Sequence, residues 1–135
     1  MTEQQQREAC AELARRMGWR VTEYHHEKAG QCWELIFPDG RRRKGYDSEA
    51  AACEDVPDCF TDAAASRELV TWIFAQPYDV SRYFVAEVLQ RLWPDSSIFI
   101  SSVQVDIHMI RDLLTVPLPV IARAACKALG IEVSE

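Results

Sequence analysis

The stretch Gln31-Cys32-Trp33-Glu34-Leu35-Ile36-Phe37-Pro38-Asp39-Gly40-Arg41-Arg42-Arg43-Lys44-Gly45-Tyr46 decides how this chain folds. Successive side chains of a strand point to opposite faces, so Trp33, Leu35 and Phe37 fall on one side and Cys32, Glu34 and Ile36 on the other. The first set is the expected core face. Pro38-Asp39-Gly40 is turn chemistry, with proline pre-setting one backbone angle and glycine free to take positive φ. The chain then returns as Arg41 to Tyr46, whose four cations leave neither face apolar. That pattern predicts an edge strand that discourages pairing with other chains.

Working outward, Arg20 to His26 is a second strand-like run, joined to Gln31 by a link containing Lys28-Ala29-Gly30. The expectation is a three-stranded antiparallel meander with strands at about 20–26, 31–37 and 41–46. On its amino-terminal side, Cys10, Leu13, Ala14 and Met17 recur at helical spacing over residues 3–17, and Gly18 is a natural left-handed terminator. On the other side come helices at about 63–75, 80–92, 106–115 and 119–129, carrying Leu69, Val70, Ile73, Phe84, Val85, Val88, Ile121 and Ala125 on their apolar stripes. Thr61 or Asp62 can cap the first of these, Asp79 or Ser81 the second and Asp106 the third. Gly130 ends the last, with Ile131 placed for a Schellman contact. Residues 97–103 alternate weakly and are a possible fourth strand. The fold class expected is α+β, one domain over 1–135, with a three- to four-stranded largely antiparallel sheet packed with helices.

Charge changes sign abruptly after the strand region. Asp47 to Asp62 holds six carboxylates and no base, and reads as an acidic linker with room for a short helical turn. Residues 1–44 carry nine Lys and Arg against seven Asp and Glu, whereas residues 45–135 carry six against fourteen. With a net charge of −6 and a pI near 5.1, the chain is a poor candidate for coating nucleic acid, because phosphate neutralisation needs continuous basic surface. A local basic patch stays open.

No apolar run approaches the roughly 20 residues of a membrane span, and the polar start Met1-Thr2-Glu3-Gln4-Gln5-Gln6 has no apolar signal segment behind it. The expected location is the cytoplasm of a host cell. Five cysteines, an odd number, read as reduced and largely buried thiols. Cys53 and Cys59 stand in a Cys-x5-Cys spacing that matches no usual zinc motif, so no metal or other cofactor is expected.

Several pieces taken together resemble a known family. A helix closing on Met17-Gly18-Trp19, a Trp33-bearing strand with its Pro-Asp-Gly turn, Pro57-Asp58-Cys59-Phe60-Thr61-Asp62 opening an Ala-rich helix, and the terminal Ala124-Ala125-Cys126-Lys127-Ala128-Leu129-Gly130 are similar to the phage α-β-α sandwich domain family of bacteriophages and prophages. The resemblance covers nearly the whole chain in order, though each piece is short. It implies a sheet with helices packed on it and a viral or prophage origin. It carries no reaction and no catalytic residues, and Trp19 and Gly130 match it as structural positions only. Neither the cysteines nor the Arg41 to Lys44 run belong to the family pattern.

Three constellations could carry function. Arg41, Arg42, Arg43 and Lys44, extended by Arg15, Arg16 and Arg20 and with Trp33 and Tyr46 for stacking, could grip a phosphate backbone, against the simpler reading of a solvated edge strand. Glu54, Asp55, Asp58 and Asp62 lie at spacings that fit no calcium loop; they form an acidic surface or, with Asp79, Glu87 and Asp95, a mimic of nucleic-acid phosphates. Tyr78 and Trp93, beside Pro77 and Pro94 at helix ends, are the aromatics expected to be exposed and usable as partner anchors. His25 and His26 face opposite sides of a strand, and His108 has only the ordinary helical pairing with Asp112, so no histidine sits in a catalytic arrangement.

These readings order three functions. The first is a non-enzymatic phage or prophage accessory protein that binds a host or phage protein, inhibition of a host defence complex being one version. The second is a small nucleic-acid-binding protein using strand 41–44. The third is a metal-dependent or other enzyme built on the histidines and cysteines. The oligomeric state is open, since a buried apolar stripe and a shared one look alike in sequence.

Overall fold

The computed structural model describes residues 2–98, 103–106 and 108–133. Among these the chain is α+β: six helices and one antiparallel three-stranded sheet. Close contacts divide it into two compact units, residues 10–57 and residues 1–9 with 58–135, the boundary falling inside the first helix.

The sheet consists of β1 (Arg20–His26), β2 (Gly30–Ile36) and β3 (Arg42–Tyr46) in the order β1-β2-β3. β3 is therefore an edge strand, as its charges imply. β2, central, is buried at Leu35 on the expected core face, but Cys32 and Glu34 on the opposite face are buried too, and Trp33 is only half-buried. Alternation read from β2 alone thus picked one of two covered faces. Helix α1 (Glu3–Arg16) precedes the sheet and ends in a Schellman motif, with Trp19 N–H bonding Ala14 O at 3.0 Å and Gly18 N–H bonding Arg15 O at 3.1 Å. Gly18 has φ +107°, and a Cβ there would stand 3.4 Å from Pro38, so glycine both permits the turn and lets the hairpin approach. Trp19 then packs on Phe37, ring centroids 4.7 Å apart.

The expected linker 47–62 carries a helix, α2 (Glu49–Glu54). Ser48 caps it by accepting the Ala51 N–H, and Ala50, Ala51 and Ala52 are the best helix formers. Fully buried Ala52 sits where α2 meets all three strands.

In the second unit, α3 (Ala63–Phe74) starts at Asp62, whose carboxylate accepts Ala64 N–H. Helix α4 (Tyr78–Leu92) starts directly after Pro77 without a side-chain cap. Ser81, one of the residues expected to cap it, instead donates to Tyr78 O. The core is built from Leu69, Val70 and Ile73 of α3, Phe84, Val85 and Val88 of α4, and Ile121, Ala122, Ala125 and Cys126 of α6 (Leu118–Ala128). Alanines at 122 and 125 let α6 come close to α4, its chief neighbour. Ile131 N–H bonds Cys126 O at 2.8 Å, closing α6 as Gly130 foretold.

The helix expected over 106–115 shrinks to α5 (Met109–Leu113). Asp106 does not cap it from the N-cap position; its Oδ1 accepts the His108 N–H, an Asx-type turn that uses up the first residues of the segment. The possible strand at 97–103 falls mostly on residues 99–102, outside the described residues. No helix among the described residues is long and apolar enough to cross a membrane.

Candidate functional site

Alternation along β3 deals the four cations to two faces. Arg43 stands opposite Leu35, and Arg42 and Lys44 opposite Ile36 and Glu34. Arg41, just before β3, opposes Phe37 through the bond from Phe37 N–H to Arg41 O. Each cation then meets a partner of its own.

Arg41 Nε lies 2.7 Å from Asp39 Oδ2, and its guanidinium carbon 4.8 Å from the Phe37 ring centroid. Asp39 Oδ1 also accepts the Arg41 backbone N–H, and these bonds, the backbone one foremost, hold the Asp39 carboxyl below its ordinary range. Arg43 Nη1 is 3.5 Å from Asp55 Oδ2, at the end of α2, and the same oxygen accepts the Tyr46 hydroxyl at 2.5 Å. Burial first, and then the Asp55 bond, push the Tyr46 phenol above its usual value.

On the other face, Arg42 Nη1 is 2.9 Å from Glu34 Oε1, which also accepts Thr22 Oγ1–H at 3.2 Å. The Glu34 side chain is only 7% exposed, and its Oε2 has no hydrogen-bond partner among the described residues. Lys44 Nζ sits 5.3 Å from the Tyr24 ring centroid. The Tyr24 hydroxyl accepts the Gly45 N–H at 3.0 Å.

Gly45 makes this arrangement possible. Its φ of +95° accompanies a register shift that brings Tyr46 opposite Trp33, the face of Arg43, whereas regular alternation would leave Tyr46 beside Lys44. The bulge therefore delivers the phenol to Asp55.

The residues expected to extend the basic strand are engaged locally, although Arg20 lies in the same cross-strand row as Arg42, each of them opposite Ile36. Arg20 Nη1 donates to Arg15 O and Trp19 O, at 2.7 and 2.8 Å, fastening the end of α1 to the start of β1. Arg15 and Arg16 both bond Glu12, and these bonds lower its carboxyl pKa to about 2. The acidic set also disperses into local tasks: Asp55 holds Arg43 and Tyr46, Asp58 accepts Phe60 N–H, Asp62 caps α3, and Glu54 is exposed. Tyr78 and Trp93 are indeed exposed, at 52% and 55%. They stand at opposite ends of 15-residue α4, about 22 Å of helix apart, so they are two anchors rather than one patch. The Tyr78 hydroxyl accepts Val105 N–H, and Arg82 lies 5.7 Å from its ring centroid.

His26 Nδ1 accepts the Lys28 and Ala29 N–H groups, each at 3.1 Å, and so shapes the β1–β2 turn. Among the described residues no group of three or more His, Cys, Asp or Glu side chains is placed to hold a metal ion. In the unit of residues 1–9 and 58–135 a groove of about 1360 Å³ is lined by Glu87 and Arg91 of α4, Arg123 and Lys127 of α6, and Glu8 and Glu132. Sequence reasoning gave Lys127 only a role at the carboxyl-end dipole of the last helix and Arg123 none; their spacing of four on one helix, in a chain of opposite net charge, was the available signal for a site. No protein-family model matches the chain, and no curated protein and no solved structure matches it significantly.

Proposed function

We propose that this is a non-enzymatic binding protein that recognises one protein partner through the charged edge of its sheet. The resemblance to phage α-β-α sandwich domains supplies the proposed setting, an accessory protein of a bacteriophage or prophage acting on a host or viral protein; inhibition of a host defence complex is one form this would take. The observation that carries the reading is the one-to-one matching of Arg41, Arg43, Arg42 and Lys44 with Asp39, Asp55, Glu34 and the Tyr24 ring. A polyanion grip needs cations free to replace counterions, whereas an edge whose cations are paired with Asp39, Asp55 and Glu34 suits a complementary protein surface and penalises wrong partners.

Nucleic-acid binding by the same strand is the second reading. It is favoured by the exposure of Arg41, Arg42 and Arg43, whose side chains keep 73%, 55% and 61% of their surface. Exposed pairs are weak enough to exchange for phosphate. The triple variant Arg41→Gln/Arg43→Gln/Lys44→Gln, which spares the pair with buried Glu34, separates the readings. Affinity capture from host lysate with wild type and variant, with and without nuclease, is the experiment. A specific protein that survives nuclease and is lost with the variant supports the proposal; retention of nucleic acid alone supports the second reading.

A further inference from the structure

Most cations of this chain are engaged. Five are not: Lys28, Arg67, Arg111, Arg123 and Lys127 make no ion pair, side-chain hydrogen bond or ring contact with another described residue. Four of them line two grooves of the unit formed by residues 1–9 and 58–135. The large groove also has three glutamates in its wall, so its field is mixed. The smaller one, about 600 Å³, is different: Arg67, Thr71, His108, Ile110, Arg111 and Leu114 line it, and none of them is a carboxylate.

The geometry is helical on both sides. Arg67 and Thr71 are four apart on α3, and His108 and Arg111 are three apart at α5, so each pair shares a face, and α3 packs on α5. Thr71 Oγ1 donates to Arg67 O, which leaves the hydroxyl as an acceptor and the donors to the two guanidiniums and the imidazole. Ile110 and Leu114 supply a half-buried apolar surface beside them. Both guanidiniums stand on a wall that has no carboxylate among its described residues, so no anion of that wall pairs with them.

We propose that the α3–α5 groove is a binding site for a small phosphate monoester, with Arg67 and Arg111 as the paired guanidinium donors and His108 as the third. A tetrahedral dianion accepts bonds from several directions, which suits donors from two helices, and bidentate guanidinium contacts are the strongest of their kind. A small molecule fits better than a phosphate polymer, since a six-residue groove covers one phosphate and the surrounding field repels a chain of them. This site is separate from the strand residues on which the proposed function rests.

The test is an NMR titration of the full chain with inorganic phosphate, against chloride at constant ionic strength, with acetate and a short single-stranded oligonucleotide as parallel probes. Saturable shifts centred on Arg67, Thr71, His108 and Arg111 are expected, with affinity at least about tenfold weaker in Arg67→Gln and in Arg111→Gln. Lys28→Gln should leave affinity unchanged; both arginines are exposed, so the variants should keep the wild-type spectrum elsewhere. Shifts spread over all exposed cations, equal response to acetate, binding of the oligonucleotide but not of phosphate, or equal weakening by Lys28→Gln would each overturn the proposal.

Discussion

Two sets of cations in this protein have opposite fates. Arg41 to Lys44 are consecutive, and every one is matched within a few residues or across the sheet. Arg67 and Arg111 are far apart in the chain, and the fold brings them into one groove with no counter-charge among the described residues of its wall. A run of like charge is conspicuous in a sequence because it is local, but local charge is also what a turn, a cross-strand neighbour and a following helix neutralise most easily. Cations scattered along the chain escape that local compensation and become a site only through tertiary structure.

The sharpest way to break this comparison is to remove Arg42. The Glu34 carboxylate, nearly buried, would lose its one cation among the described residues, and Arg42→Ala should destabilise the protein by about 1–3 kcal/mol in urea unfolding. Arg111→Gln, by contrast, should change stability by less than about 0.5 kcal/mol. Equal effects would erase the distinction between the two sets. Adding Glu34→Gln to Arg42→Ala should recover part of the loss, because the uncompensated charge is then gone.

Next in size is Gly45→Ala. A Cβ there has open space around it, so the cost is conformational, about 1–2 kcal/mol for a residue held at positive φ. Protection of the Tyr46 hydroxyl and the Asp55 contact should weaken in the same variant, as seen by NMR; a stable variant with Tyr46 unchanged would remove the bulge from the account. Asp55→Asn comes third. It should lower the Tyr46 phenol pKa toward its ordinary value, read by ultraviolet titration, with less than about 1 kcal/mol lost because the Arg43 pair is exposed. Since the folded phenol pKa is raised, its contribution to stability is present below the unfolded value and disappears as pH rises through the folded one.

Smallest is the contribution of Glu12. Its folded pKa of about 2 lies below the unfolded value, so the stability it adds is present above that value and is lost as pH falls toward 2. Glu12→Gln should flatten the acid limb of the stability curve slightly, by much less than the shift itself implies, because solvent screens this exposed cluster. An acid limb identical to wild type would mean the three-residue cluster makes no contribution.

Much of the fold was legible. β1 occupies the residues its alternation indicates, Gly18 and Gly130 end their helices through backbone bonds that need no tertiary information, and Asp62 caps α3 from its place in the sequence. Tyr78 and Trp93 are exposed because the prolines beside them mark helix ends. What escaped depends on distant pairing. Burial of Cys32 and Glu34 cannot be read from β2 alone, the partner of each cation depends on register and on the bulge at Gly45, and α2 is visible only once Ser48 is seen capping three alanines. The charge of Arg20 and its place in the row of Arg42 follow from sequence and register, while the two carbonyls that hold its guanidinium were not legible.

The central claim is that the strand carrying Arg41 to Lys44 presents a compensated, bipolar edge rather than a phosphate grip. The salt dependence of binding to a short DNA duplex tests it most directly. Four phosphate contacts would give a slope of log affinity against log salt of about −3.6. The account predicts that the unmodified protein shows no measurable duplex binding at moderate salt and that Arg41→Gln/Arg43→Gln/Lys44→Gln changes nothing; a slope near that value, abolished in the triple variant, would contradict it.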